Sequence, residues 1–83
     1  MTTNIQKADQ FRTTDLYFAA YLQVVGLTMG RPDRNNGKLT FVFDTSVANM
    51  EELRHAWISN TARVAPLLFS NAVKSLKSLC HMP

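Results

Sequence analysis

The residues of this 83-residue chain that are best suited to metal or nucleophilic chemistry are two histidines and one cysteine. His55 and His81 are far apart in the sequence, and neither stands at the paired spacing of a zinc site. Cys80 directly precedes His81, but adjacent residues on a helix do not face each other. A cysteine near a helix end is more typical of a hydrophobic residue at the edge of a core than of a nucleophile. We therefore expect no metal site and no catalytic thiol.

The sequence also contains no motif for phosphate binding or for catalysis by carboxylates. Gly30 and Gly37 flank a polar connection and Gly26 follows an apolar run, so no glycine-rich loop leads into a helix. Asp44 has no second carboxylate with a defined place beside it, and its position before Thr45 is typical of a turn or a cap. The sequence predicts that the protein is not an enzyme and needs no cofactor and no small-molecule substrate.

Basic side chains are concentrated in two parts of the chain. The net charge is +3, and residues 53–83 contain four Lys and Arg side chains but no acidic one. A second basic site comprises Arg31, Arg34 and Lys38, in and next to the polar connection of the β-hairpin predicted below. The candidate nucleic-acid contacts are Arg31, Arg34, Lys38, Arg54, Arg63, Lys74 and Lys77. This distribution indicates either an ordinary solvated surface or binding to a phosphate backbone, with little sequence specificity because the last helix lacks the Asn, Gln and Arg cluster that reads base edges.

The elements that would position these residues begin with an apolar run over residues 16–25, in which only Gln23 is fully polar. The run is about half of the roughly 20 residues needed to cross a bilayer. At the start of the run, Thr14 can cap a helix and Asp15 faces the positive end of the helix dipole. At its end, Gly26 can adopt the left-handed conformation that terminates helices, so we expect a helix over residues 15–25. A helix that is apolar all round needs partners on several sides, as the centre of a core or as half of a subunit interface.

A β-hairpin is predicted after this helix. Residues 27–29 and 38–43 alternate apolar with polar side chains, and Asn36-Gly37 between them is the strongest turn signal in the chain. The economical interpretation is an antiparallel pair of strands with an exposed, flexible tip over residues 30–37.

Two further helices complete the predicted domain. The second includes Met50–Ile58 and starts at Ser46 or at Asn49, which begins an approximate capping box. Pro66 suits the first turn of the third helix, which continues to about Leu79. The apolar stripe of the third helix comprises Phe69, Ala72, Val73, Leu76, Leu79 and Cys80. The predicted fold is a small α+β domain in the order helix, β-hairpin, helix, helix, with a two-stranded antiparallel sheet packed on the helices.

The chain is expected to hold one domain over residues 13–83, preceded by a flexible tail over residues 1–12 that has no sustained periodicity. The tail lacks the apolar segment of a signal peptide, and a single cysteine excludes an intrachain disulfide. These features predict a protein of the reducing cytoplasm that does not associate with membranes. A domain of this size buries at most about 60% of the surface of its unfolded chain, so oligomerisation is the expected source of added stability.

The order of motifs resembles a known family. These motifs are Thr-Thr-Asp-Leu-Tyr at residues 13–17, Ala-Ala-Tyr-Leu at 19–22, Phe-Val-Phe-Asp at 41–44, Ala-Arg-Val at 62–64 and Phe-Ser-Asn-Ala-Val-Lys-Ser-Leu-Lys at 69–77. Together they resemble a family of short bacterial and phage-type proteins catalogued only as a domain of unknown function. The resemblance covers about residues 11–79, rests on structural motifs and implies no activity. Ala65-Pro66-Leu67 departs from the polar, often basic residues of the family at this point, which argues against a phosphate contact there.

Binding is the function that these patterns favour, and two kinds of surface compete for it. The first is apolar: Tyr17, Tyr21 and Trp57 are the candidate residues of a homodimer or protein-partner interface, because large amphipathic side chains anchor interfaces. The alternative for Trp57, shared with Phe41, Phe43 and Phe69, is that it closes the core around the first helix. The second surface is the basic one described above. We expect a non-enzymatic binding module of bacterial or phage origin that binds itself or another protein, with nucleic-acid binding as the alternative.

Overall fold

Seven elements make up the part of the chain that the computed structural model describes, residues 10–45 and 49–81. In chain order they are strand β1 (Gln10–Thr13), helix α1 (Leu16–Val24), strands β2 (Thr28–Met29), β3 (Asp33–Asn35) and β4 (Lys38–Asp44), and helices α2 (Met50–Ile58) and α3 (Pro66–Cys80). The predicted class, a small α+β domain, is confirmed. The predicted two-stranded sheet is wrong in detail, because the sheet has four antiparallel strands and a strand precedes the first helix.

Strand β4 is the centre of the sheet, and every other strand in the described ranges pairs with it. Strand β1 pairs with the second half of β4, and Phe11 lies opposite Phe43. This pairing places residues 10–12, predicted to belong to a flexible tail, in an ordered strand. Residues 1–9 of that predicted tail lie outside the described residues. Phe11 is the only large apolar side chain of β1, which made the strand hard to detect from local periodicity.

The predicted hairpin forms, but its tip is shorter than expected. Asn36 and Gly37 both have positive φ, +55° and +79°, which is what a two-residue type I′ turn requires. Strand β3 then pairs with the first half of β4, within the segment predicted as a flexible tip. Gly30 donates its amide hydrogen to the Val42 carbonyl at 2.8 Å, while Asp33 already lies opposite Thr40. Two residues of this edge, 31 and 32, therefore face one residue of β4, as in a β-bulge.

Helix α1 begins and ends with side-chain and backbone caps. The carboxylate of Asp15 accepts hydrogen bonds from the amides of Tyr17 and Phe18 at 3.0 and 3.1 Å, so Asp15 rather than the predicted Thr14 is the N-cap. The predicted stop is confirmed: Gly26 has φ +109° and donates to the Gln23 carbonyl. The Leu27 amide donates back to the Leu22 carbonyl at 3.1 Å, which completes a Schellman motif.

The helices cover one face of the sheet. Phe41 and Phe43 of β4 are buried beneath them, whereas Thr40 and Val42 alternate toward the opposite face. Helix α3 packs along α1. The buried core comprises Phe18, Ala19, Ala20, Tyr21, Leu22, Phe41, Phe43 and Leu76. Five successive residues of α1 belong to it, so of the two alternatives predicted for the apolar helix, the centre of a core or half of a subunit interface, these residues fit the first.

The predicted starts of the two later helices are confirmed as well. The Asn49 side chain caps α2 by accepting a hydrogen bond from the Glu52 amide at 3.2 Å. Ser46, the other predicted start, lies outside the described residues. Pro66 occupies the first turn of α3. The apolar stripe predicted for α3 faces the core, because each of its residues is buried or half-buried and packs on the cluster around α1.

Replacing Gly37 by Ala tests the hairpin turn. Gly37 has φ +79° and open space where an added methyl group would lie, so the cost comes from backbone strain alone, about 1 kcal/mol of unfolding free energy. Gly30→Ala is the matched control, because its Cβ would meet only the Val42 carbonyl at an ordinary 3.9 Å. Urea denaturation of both variants checks this. Equal stability of the two variants would contradict the turn geometry.

Candidate interaction surfaces

Three of the four residues considered for catalysis are exposed at the surface. His55 and His81 are exposed, Cys80 is half-buried and makes no disulfide, and Asp44 lies at the end of β4. No group of three or more His, Cys, Asp or Glu side chains within residues 10–45 and 49–81 has the geometry to hold a metal ion. In the same ranges no helix is both long and apolar enough to span a membrane.

A cleft of about 310 Å³ lies between the end of α1 and the start of α2. Its lining includes Val25, Leu27 and Leu53 together with the polar side chains of Asp44, Asn49 and Glu52. The two carboxylates fall short of the ligand number of a metal site. We assign no chemistry to this cleft.

The predicted apolar interface is largely part of the core. Tyr21 is only 3% exposed, and its ring stacks on Trp57 with a centroid distance of 5.2 Å. Trp57 also contacts the rings of Phe18 at 5.6 Å and Phe69 at 6.3 Å. The interpretation that Trp57 closes the core around α1 therefore fits these contacts. Of the three predicted interface residues, Tyr17 alone has a largely accessible side chain, 50% exposed.

Other apolar side chains are more exposed than these, at the junction of α2 and α3. Ile58, Leu67 and Leu68 are 74%, 71% and 58% exposed, and we call these three residues the apolar corner. Ile58 ends α2, Leu67 and Leu68 lie in the first turn of α3, and the neighbouring residues Trp57 and Phe69 are in ring contact. An aliphatic side chain left in water forgoes about 1.5 to 3 kcal/mol of burial free energy.

The connection between the two helices is held in one shape. The amides of Thr61 and Ala62 both donate to the Ala56 carbonyl, at 2.9 and 3.0 Å, and Asn60 turns the chain with φ +64°. The Ser59 hydroxyl donates to the His55 carbonyl at 2.7 Å. The apolar corner therefore sits on a braced junction rather than on a free loop.

Sequence reasoning missed the apolar corner, although one signal for it was present. Leu67 lies on the side of α3 opposite the stripe that continues from Phe69, so a helix packed by that stripe must leave Leu67 in water, and Leu68 lies at the edge of the stripe. Ile58 is the last residue of α2, where a helix end turns away from the core.

Three of the arginines are engaged within the chain itself. Arg34 donates from its guanidinium to the Leu79 carbonyl at 3.0 Å and so satisfies the end of α3. The guanidinium of Arg54 lies 5.5 Å from the centre of the Phe11 ring, a cation–π contact that holds β1 against α2. Arg12, which sequence reasoning did not single out, forms an ion pair with Asp33 at 2.7 Å across the open face of the sheet.

The remaining basic candidates are exposed. They are Arg31, Lys38, Arg63, Lys74 and Lys77, and none of them forms an ion pair with a residue in the described ranges. The contact between Arg34 and Leu79, which are 45 residues apart in the sequence, brings the hairpin to the end of α3 and so places its basic side chains near those of the last turns of α3. Arg63 lies in the connection that precedes the first turn of α3, whereas Lys77 lies in the last turn of that helix.

Comparison with protein-family models, with curated proteins and with solved structures finds no match for this chain. The resemblance to a family of unknown function stays a prediction. Functional inference therefore rests on the two exposed surfaces, the apolar corner and the exposed basic side chains.

The contact between Arg34 and Leu79 can be tested by substitution. Arg34→Ala removes a charged hydrogen bond at the end of α3 and should lower the unfolding free energy by about 1 kcal/mol. Arg31→Ala, an exposed arginine on the same edge with no ion pair in the described ranges, serves as the control and should leave stability within about 0.5 kcal/mol of the wild type. Thermal unfolding followed by Trp57 fluorescence measures both. A loss of the same size in both variants would show that the Arg34 bond contributes nothing of its own.

Proposed function

We propose that the protein is a non-enzymatic binding module that forms a homodimer through the apolar corner. The single observation that supports this proposal is the exposure of three large aliphatic side chains, Ile58, Leu67 and Leu68, on the two sides of the braced connection between α2 and α3. Single exposed apolar residues are normal on protein surfaces, whereas several large ones on the two sides of one short connection favour an interaction site there.

A second copy of the chain is the occupant that fits this corner best. A two-fold axis brings a patch onto itself, so an aliphatic patch is its own complement. The size of the domain adds to this argument, because a chain of 83 residues has a small core and gains stability from association.

The surroundings of the corner have the composition of an interface rim. The exposed face of α2 that leads to Ile58 carries Glu51, Glu52, Arg54 and His55 along an open groove. Both signs of charge are present there, so a polar rim can form around an apolar centre. The cytoplasm is the compartment that we propose, since the single thiol, Cys80, has no intrachain partner for a disulfide.

Sedimentation velocity over a range of protein concentrations tests the dimer. The wild type should sediment as a concentration-dependent mixture of monomer and dimer. Ile58→Glu and Leu67→Glu each place a charge in the apolar centre, and we expect each to weaken dimerisation by at least about tenfold. Both side chains are more than two-thirds exposed, so the fold should persist in the variants.

Ser75→Glu is the matched control for these variants. It adds the same charge to an exposed position of α3 outside the corner and should leave the dimerisation constant unchanged. A wild type that stays monomeric at every concentration would overturn the proposal. So would corner variants that dimerise as well as Ser75→Glu, since the interface would then lie elsewhere.

A further inference from the structure

One end of the molecule gathers elements that are distant in the sequence. Helix α1 begins at Leu16, three residues after Thr13, which lies opposite Phe41 of β4. Helix α3 ends beside Arg34, which lies opposite Leu39 and donates to the Leu79 carbonyl. Leu39 and Phe41 are two residues apart on one strand, a distance of about 7 Å. The first turn of α1, the last turn of α3 and the hairpin turn therefore share one end.

This end carries exposed positive charge. We call it the basic end and define it by four exposed cations, Arg31, Lys38, Lys74 and Lys77. Lys38 begins β4 next to the hairpin turn, and Lys77 and Lys74 stand on the exposed face of the last turns of α3. No ion pair with another described residue neutralises any of the four.

The carboxylates near the basic end are already engaged. Asp33 is paired with Arg12 at 2.7 Å, and Asp15 accepts hydrogen bonds from two backbone amides of α1. Asp44 stands at the opposite end of β4, about 20 Å from Lys38. Glu51 and Glu52 lie in the first turn of α2, beyond that far end. Positive and negative charges are thus separated along the sheet.

An exposed aromatic ring belongs to the same end. Tyr17 stands in the first turn of α1 and is 50% exposed, whereas the other aromatic residues in the described ranges are buried or half-buried. Cations combined with an accessible ring are the features by which proteins bind single-stranded nucleic acid, with phosphates on the cations and bases on the ring. A membrane surface or an acidic protein would contact only the cations, so the exposed ring favours single-stranded nucleic acid over these two partners.

We propose that the basic end binds single-stranded nucleic acid without sequence preference, with Arg31, Lys38, Lys74 and Lys77 contacting phosphates and a base stacking on Tyr17. Phosphate contacts supply the affinity and make it depend on salt. This surface is separate from the apolar corner and its function does not depend on dimerisation there.

Fluorescence anisotropy with a labelled oligothymidine of about 16 nucleotides tests the phosphate contacts. The wild type should bind, and its affinity should fall steeply as salt is raised. Lys77→Ala should weaken binding about fivefold at low salt and lower the slope of log affinity against log salt by about one. Arg63→Ala removes the same charge from an exposed site away from the basic end and should leave that slope unchanged.

Tyr17 variants test the stacking contact separately. Tyr17→Phe keeps a ring and should bind as the wild type does, whereas Tyr17→Leu keeps an apolar side chain without a ring and should bind about tenfold more weakly. Circular dichroism checks that both variants fold. Equal affinities of these two variants would overturn the role of the ring.

Three further outcomes would overturn the proposal as a whole. They are absence of oligothymidine binding at low salt, equal losses in Lys77→Ala and Arg63→Ala, and tighter binding to vesicles of anionic phospholipid than to the oligonucleotide. Ile58→Glu, which disrupts the proposed dimer, should retain oligonucleotide binding. The dimer proposal and the nucleic-acid proposal can therefore each fail without affecting the test of the other.

Discussion

Helix α1 is apolar on every side, and this single constraint organises the fold. Five successive residues, from Phe18 to Leu22, are buried, so water can contact the helix only near its ends. No single neighbour can cover such a helix, because one packed face shields only part of its circumference. The sheet, α2 and α3 each cover part of it, which is why a chain this short needs all three around one element.

The way each neighbour covers α1 determines what stays exposed. Ala19 and Ala20 have no side chain beyond Cβ, so another backbone can come close, and α3 packs along this helix. Trp57 covers the side toward α2 by stacking on Tyr21. The ring contact of Trp57 with Phe69 links α2 to α3, and the side chains of the apolar corner stay in water. The candidate interface is thus a consequence of how the core is closed.

Local signals in the sequence were sufficient to predict most of the helices and strands, but not strands β1 and β3. The apolar run, the Asn36-Gly37 turn and the Asn49 cap each act within a few residues, so the pattern predicted α1, the hairpin and α2. Strands β1 and β3 are short and form by pairing with a distant strand, and their side chains outside Phe11 are mostly polar. The contact of Arg34 with α3, which assembles the basic end, spans 45 residues and leaves no periodic trace.

We propose that one chain covers its own α1 and leaves the apolar corner for a second copy. Amide hydrogen exchange of the wild type at high and at low protein concentration tests it most directly. We expect strong protection of α1 at both concentrations, with the amides around Ile58, Leu67 and Leu68 gaining protection only at the higher one. Protection of α1 that is lost on dilution, with no change at the apolar corner, would contradict it.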